Sequence, residues 1–64
     1  MNPAYPDLAF AVFALMAANV PFQRALTRAQ QKVLGKYRYT DIKAAEDLLT
    51  AKVNHWNRAG SGVG

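Results

Sequence analysis

Apolar positions fall into three blocks along the chain, each with its own spacing. From Leu8 to Ala18 every side chain is apolar: Leu-Ala-Phe-Ala-Val-Phe-Ala-Leu-Met-Ala-Ala. No 3.6-residue stripe runs through this block. A helix here is predicted to be shielded from water on all faces, in a core or in lipid. Asn19 interrupts the run and Val20-Pro21-Phe22 resumes it. Pro3 and Pro6 suit a helix entry rather than an interior. Asp7 then falls in the first turn, where a carboxylate complements the helix dipole. The first helix is predicted over residues 5–19. Pro21 has no N–H to give to the Ala17 carbonyl, so the chain is expected to kink or restart between Asn19 and Phe22.

The second block is amphipathic. Leu26, Ala29, Val33 and Leu34 recur at helical spacing, with Arg24, Arg28, Gln31 and Lys32 between them, which predicts a helix over residues 22–34. Gly35 reads as its C-cap. Residues 36–39 form a short connector. Thr40 or Asp41 then caps a third helix over residues 41–57. Ile42, Ala45, Leu48, Leu49, Val53 and Trp56 make its apolar stripe, and Lys43, Glu46, Asp47, Lys52 and Asn57 lie largely opposite. The end, residues 59–64, is glycine-rich and expected to be mobile. No repeat and no strand-like alternation is present. The fold class is therefore all-α, two to three helices in one small unit. Residues 1–22 are the apolar segment, 23–58 the basic amphipathic part and 59–64 the tail.

Sixty-four residues bury too little surface to fold comfortably without help from a disulfide, a metal, a partner or a membrane. Cysteine is absent, which removes disulfides, thiolate-bound zinc and thiol catalysis. A single histidine, His55, builds no metal site. No Ser-His-acid set, paired carboxylate cleft or phosphate loop can be assembled, so no enzyme, cofactor or metal function is expected. Charge changes the picture more. The net charge is +4, and all eight cations lie from Arg24 onward, while residues 1–23 carry Asp7 alone. An apolar third followed by a basic two-thirds points to an anionic surface, lipid headgroup or nucleic acid, beside the second part.

Length weighs imperfectly on the membrane question. Leu8 to Phe22 gives fifteen residues and Ala4 to Phe22 nineteen, against about 20 for a lipid-spanning helix. A signal peptide needs cations before its apolar region, and here they follow it. Arg24, Arg28, Lys32, Lys36 and Arg38 come immediately after the run, which satisfies the positive-inside rule with the N-terminus outside and the C-terminus cytoplasmic.

Several side chains are candidates for contact. Ala11, Ala14 and Ala18 share one helix face and would let another helix approach closely; alanine is also the commonest helix former. Asn19, Pro21 and Phe22 read as a kink or a partner contact, against the plainer reading of a capped helix end. Arg24, Arg28, Lys32 and Lys36, with Arg38 beyond them, form a row that can meet anionic headgroups or phosphates. Tyr37, Tyr39 and Trp56 fit the headgroup level of a bilayer as interface anchors. The Lys36-Tyr37-Arg38-Tyr39 cluster equally fits stacking on nucleic-acid bases or a solvated loop.

Leu8 to Phe22, with its Ala-Asn-x-Pro-Phe ending at Asn19, Pro21 and Phe22, resembles the opening helix of a family of small uncharacterised bacterial inner-membrane proteins. The resemblance covers about fifteen of the sixty-four residues and implies a membrane address without any chemistry. Family members continue into further apolar segments, whereas this chain turns basic. The reading that follows is a small, single-pass or membrane-embedded accessory or assembly subunit of a larger bacterial membrane complex, non-catalytic, in the inner membrane. Its partners are the lipid bilayer and that complex. The alternative is a soluble all-helical module in the cytoplasm, a dimer for example, that binds protein or nucleic acid.

Overall fold

The computed structural model describes the backbone of residues 2–63 and the side chains of residues 2–58. Three helices and no strand form the described chain: α1 (Tyr5–Ala17), α2 (Phe22–Val33) and α3 (Tyr39–Val63). The all-helical class expected from the sequence is what the chain adopts.

Helix α1 is started by a side chain before it. The Ala4 N–H donates to Asn2 Oδ1 at 2.9 Å, and Asn2 Nδ2 donates to the Asp41 carbonyl oxygen at 2.8 Å. Asn2 thus satisfies a free N–H at the entry to α1 and ties that entry to the first turn of α3. Asp7 stands in the first turn, where it favours the dipole. The other end of α1 is closed by a left-handed residue. Asn19 has φ 69°; its N–H donates to the Met16 carbonyl at 2.9 Å, and the Val20 N–H to the Leu15 carbonyl at 3.0 Å. Those two bonds define a Schellman closure, with Asn in the position usually taken by Gly. Its apolar signature is present too, because Leu15 and Val20 both pack on the core.

The closure reverses the chain. Pro21 precedes α2 in extended conformation (φ −58°, ψ 150°), and its carbonyl accepts from the Ala25 N–H at 2.8 Å. Helix α2 runs back along α1 and ends at Val33; its C-cap is Leu34, extended at φ −59° and ψ 134°, rather than Gly35. Gly35 follows in a turn closed by the Lys36 N–H on the Val33 carbonyl at 3.1 Å, with a φ of +88° that only glycine adopts without strain. Arg38 supplies the carbonyl that receives the first bonded N–H of α3, from Ile42 at 3.0 Å. Helix α3 therefore begins two residues before the predicted start, without Thr40 or Asp41 as its cap. Its backbone continues to Val63, past the expected end at 57. The expectation of a mobile tail over 59–64 falls on side chains, and on Gly64, that lie outside the described residues.

The core is small and mostly aliphatic. Leu8, Val12, Ile42 and Leu49 are its largest fully buried side chains, and Ala4, Ala9, Ala25, Ala29, Val33, Ala45 and Val53 complete it. Alanines at the α1–α2 contact bring the two helices close. Helix α1 packs against both others, whereas α2 and α3 barely touch. Asn2 beside Asp41 and Phe13 beside Trp56 show α3 running in the same direction as α1.

Two expectations are corrected here. No helix of the described residues is long and apolar enough to cross a membrane. The thirteen residues of α1 reach about 20 Å at 1.5 Å per residue, against a hydrocarbon layer of about 30 Å. The break expected from Pro21 between Asn19 and Phe22 is present: Asn19 turns the chain round, so Val20-Pro21-Phe22 adds no length to α1. A single-pass span therefore has no helix among the described residues to carry it. Nor is the run shielded on all faces. Phe10 is 79% exposed, and Phe13, Ala14, Ala17 and Ala18 also meet solvent. With only two neighbouring helices, α1 buries the arc holding Leu8, Ala9 and Val12 and leaves the opposite arc uncovered.

Candidate functional site

The uncovered arc of α1 is the most unusual surface of the molecule. Pro6, Phe10, Phe13, Ala14 and Ala17 recur at spacings of three and four, so they stand in one line along the helix. All are exposed and none is polar. On the α3 side the line is widened by Trp56, 52% exposed, whose ring lies 5.9 Å from that of Phe13 with the planes inclined by 36°. This is a tilted aromatic pair at an ordinary centroid separation. Farther along, Tyr5, Pro6 and Leu48 line a nearly all-apolar hollow of about 270 Å3, and the Lys52 ammonium stands 5.4 Å from the Tyr5 ring centroid, a cation–π distance.

On the α2 side the ridge meets cations. Lys32 and Lys36 border a second hollow, of about 300 Å3, together with Asp7, Phe10, Ala11, Ala14 and Val33. Two groups that the sequence presents separately, the alanine face and the cation row, thus come together across one groove. Arg28 and Arg24 continue the row up α2 beside Pro21, Gln23, Thr27 and Gln31. From Asp7 to Asp41 the chain has no intervening acid. Among the described residues the single ion pair is Lys43 to Glu46, at 3.8 Å on α3, so every cation of α2 and its connector is exposed and without a carboxylate partner.

The remaining candidates sit as follows. Ala11 is half-buried against the core, Ala14 exposed, and Ala18 part of the closure. Asn19 and Pro21 shape the turn, and Phe22 packs on the core rather than outward. Arg38 is exposed just before α3, and Tyr39 is 61% exposed at its start. Tyr37 does not project to a surface partner: its phenol O–H donates to the Asp7 carboxylate, fastening the connector to α1. Donating that proton raises the Tyr37 pKa above the usual 10.0, helped by partial desolvation and by the negative charge of Asp7. Phe10, Phe13 and Lys52 were missed as contact residues. The available signal was the absence of a stripe in residues 8–18: a small unit cannot bury a helix all round. Among the described residues no three His, Cys, Asp or Glu side chains gather as a metal site would require.

Compared with known proteins, the chain matches no family model, no curated protein and no solved structure at a significant level. The class that the fold defines is a small three-helix unit, and the site defines an apolar ridge between cationic flanks.

Proposed function

We propose that the protein is a non-catalytic module that lies on an anionic membrane surface and serves there as an accessory subunit of a membrane complex. It associates peripherally. The carrying observation is the exposed line of Phe10, Phe13 and Trp56 with Lys32 and Lys36 on one side and Lys52 on the other. An interfacial helix has this arrangement: aromatic side chains sink about 5–10 Å below the headgroups while lysines stay level with them. Each cation near a charged leaflet adds about 1 kcal/mol, and burying an aromatic side chain adds about 1.5–3 kcal/mol. The likeness of residues 8–22 to the opening segment of an inner-membrane family supports the same address, as does the anionic character of a cytoplasmic leaflet.

A second reading rests on a different face. Arg24 and Arg28 with Gln23, Thr27 and Gln31 form a donor-rich, acid-free strip that suits a nucleic-acid backbone. Co-sedimentation separates the two. The full-length protein is incubated with phosphatidylglycerol-containing vesicles, with neutral phosphatidylcholine vesicles and with duplex DNA at physiological salt. Binding to the anionic vesicles, weakened by Phe10→Ser, supports the membrane reading. Protein that stays in the supernatant with both vesicles and shifts the DNA replaces it with the second.

A further inference from the structure

The cations of α2 and of the connector after it do not share one environment, although the sequence spaces them evenly. Arg24 and Arg28 stand beside Pro21, Gln23, Thr27 and Gln31, with no aromatic side chain among them. Lys32 and Lys36 stand at the rim of the hollow walled by Phe10, Ala11, Ala14 and Val33. A cation over an apolar wall is the geometry a phospholipid requires, with charge at headgroup depth and hydrocarbon directly beneath.

We propose that this hollow seats one anionic glycerophospholipid, its phosphate held by the Lys32 and Lys36 ammonium groups and the upper part of an acyl chain laid along Phe10, Ala11 and Ala14. The proposal rests on the membrane-surface reading and adds to it a ligand and a place. Charge complementarity selects the headgroup. Asp7 also borders the hollow, so two lysines and one carboxylate leave a net +1. That balances a phosphodiester bearing one negative charge, such as phosphatidylglycerol. It suits a phosphomonoester less, because its second charge meets Asp7. The Asp7 carboxylate is itself engaged by the Tyr37 O–H, which keeps it directed toward the connector. The apolar wall separates a lipid from other phosphate sources, since neither free phosphate nor a nucleic-acid backbone gains from contact with Phe10 and Ala14.

The test compares two charge-matched double variants of the full-length protein, Lys32→Gln with Lys36→Gln and Arg24→Gln with Arg28→Gln, for binding to phosphatidylcholine vesicles doped with phosphatidylglycerol. If the cations act as a diffuse field, either pair costs about 30-fold, the conversion of roughly 1 kcal/mol per cation. With a seat, the lysine pair loses at least tenfold more than the arginine pair, and Lys32→Arg with Lys36→Arg restores most of it. A steric variant gives an independent readout. Ala14 is exposed, so Ala14→Leu leaves the fold intact and adds apolar surface. Simple insertion then predicts tighter binding, whereas an occupied hollow predicts weaker binding and loss of the preference for phosphatidylglycerol over phosphatidic acid. Equal losses from the two double variants, tighter binding by Ala14→Leu, or equal perturbation of the lysines by soluble glycerophosphoglycerol each overturn the seat while leaving the surface reading intact. Failure of the unaltered protein to bind any vesicle overturns both.

Discussion

Leu8 and Phe10 stand two positions apart on α1 and have opposite fates, which makes them a sharp test of the fold and of the surface together. Leu8 is fully buried; Phe10 is 79% exposed. Truncating Leu8 to Ala removes buried methyl groups and leaves a cavity, at a cost of about 2–5 kcal/mol. A chain of this length holds about 3–10 kcal/mol in all, from roughly 0.05–0.15 kcal/mol per residue. Leu8→Ala therefore removes at least about a fifth of the stability and, at the midpoints of the two ranges, about half. Phe10→Ala removes contacts of about a fifth of a ring, worth at most about 0.6 kcal/mol of the 1.5–3 for full burial. Alanine's better helix propensity offsets much of that. The apolar area still free on Phe10 is worth about 2 kcal/mol on contact with lipid, a roughly 30-fold fall in vesicle partition when it is lost. Urea unfolding followed by circular dichroism measures the first quantity, and vesicle co-sedimentation the second. Phe10→Ala should unfold with the wild-type midpoint yet bind vesicles far less. If it destabilises the free protein as much as Leu8→Ala does, Phe10 belongs to a core that one chain does not contain. If vesicle binding is unchanged, the ridge is not the contact surface.

Gly35→Ala meets open space but a φ of +88°, so its cost is backbone strain alone, about 1–2 kcal/mol; an unchanged melting temperature would show that the α2 end relaxes freely. Tyr37 has a folded pKa above its unfolded value of about 10, since its O–H is donated to Asp7. Its contribution is complete below the unfolded value and is lost as pH rises through the folded one. Wild type should therefore lose melting temperature above about pH 10 more steeply than Tyr37→Phe, and parallel curves would refute the link. Trp56 is the single tryptophan and half-exposed beside Phe13. Its emission should shift to the blue on binding anionic vesicles and remain there in high salt if the ring has entered lipid.

Much of the fold was legible because punctuation and periodicity agree. Gly35 follows the end of the predicted pattern at Leu34, and the structure puts its positive φ in the turn after α2, whose C-cap is Leu34. Of the stripe expected on α3, Ile42, Ala45, Leu49 and Val53 are buried, whereas Leu48 and Trp56 are half-exposed and Glu46, expected opposite, is buried. Asn19 was harder to read. Pro21 announced a break between Asn19 and Phe22 but not its form, and the structure gives Asn19 a positive φ of 69° with the Val20 N–H on the Leu15 carbonyl. The start of α3 was misplaced by two residues. Thr40 and Asp41 are good capping residues, but the helix begins at Tyr39 and Asp41 stands in its first turn, where a carboxylate favours the dipole. The uneven setting of the cation row was not legible at all. Four-residue spacing predicts Arg24, Arg28, Lys32 and Lys36 on one line, but α2 ends at Val33 and Lys36 lies past Gly35 in the connector; nothing local says that α1 lays Phe10 and Ala14 beside Lys32 and Lys36 and not beside the arginines.

The apolar segment is too short to span a bilayer and too apolar for the core it serves, and these two facts have one cause. A helix with two packed neighbours buries part of its circumference and presents the rest to whatever lies outside. Where outside is water, that arc normally carries charge, as α2 does with Arg24, Arg28 and Lys32. On α1 it carries Phe10, Phe13, Ala14 and Ala17 instead, so covering it recovers free energy that folding alone leaves unused. Whatever covers it also stabilises the fold, by about 2.7 kcal/mol when present at a hundredfold excess over its dissociation constant. That is comparable to the lower end of the total stability of so short a chain. Docking and folding are therefore coupled. Substitutions in the core should weaken docking by depopulating the folded chain, and substitutions on the ridge should weaken it without changing how the free chain melts.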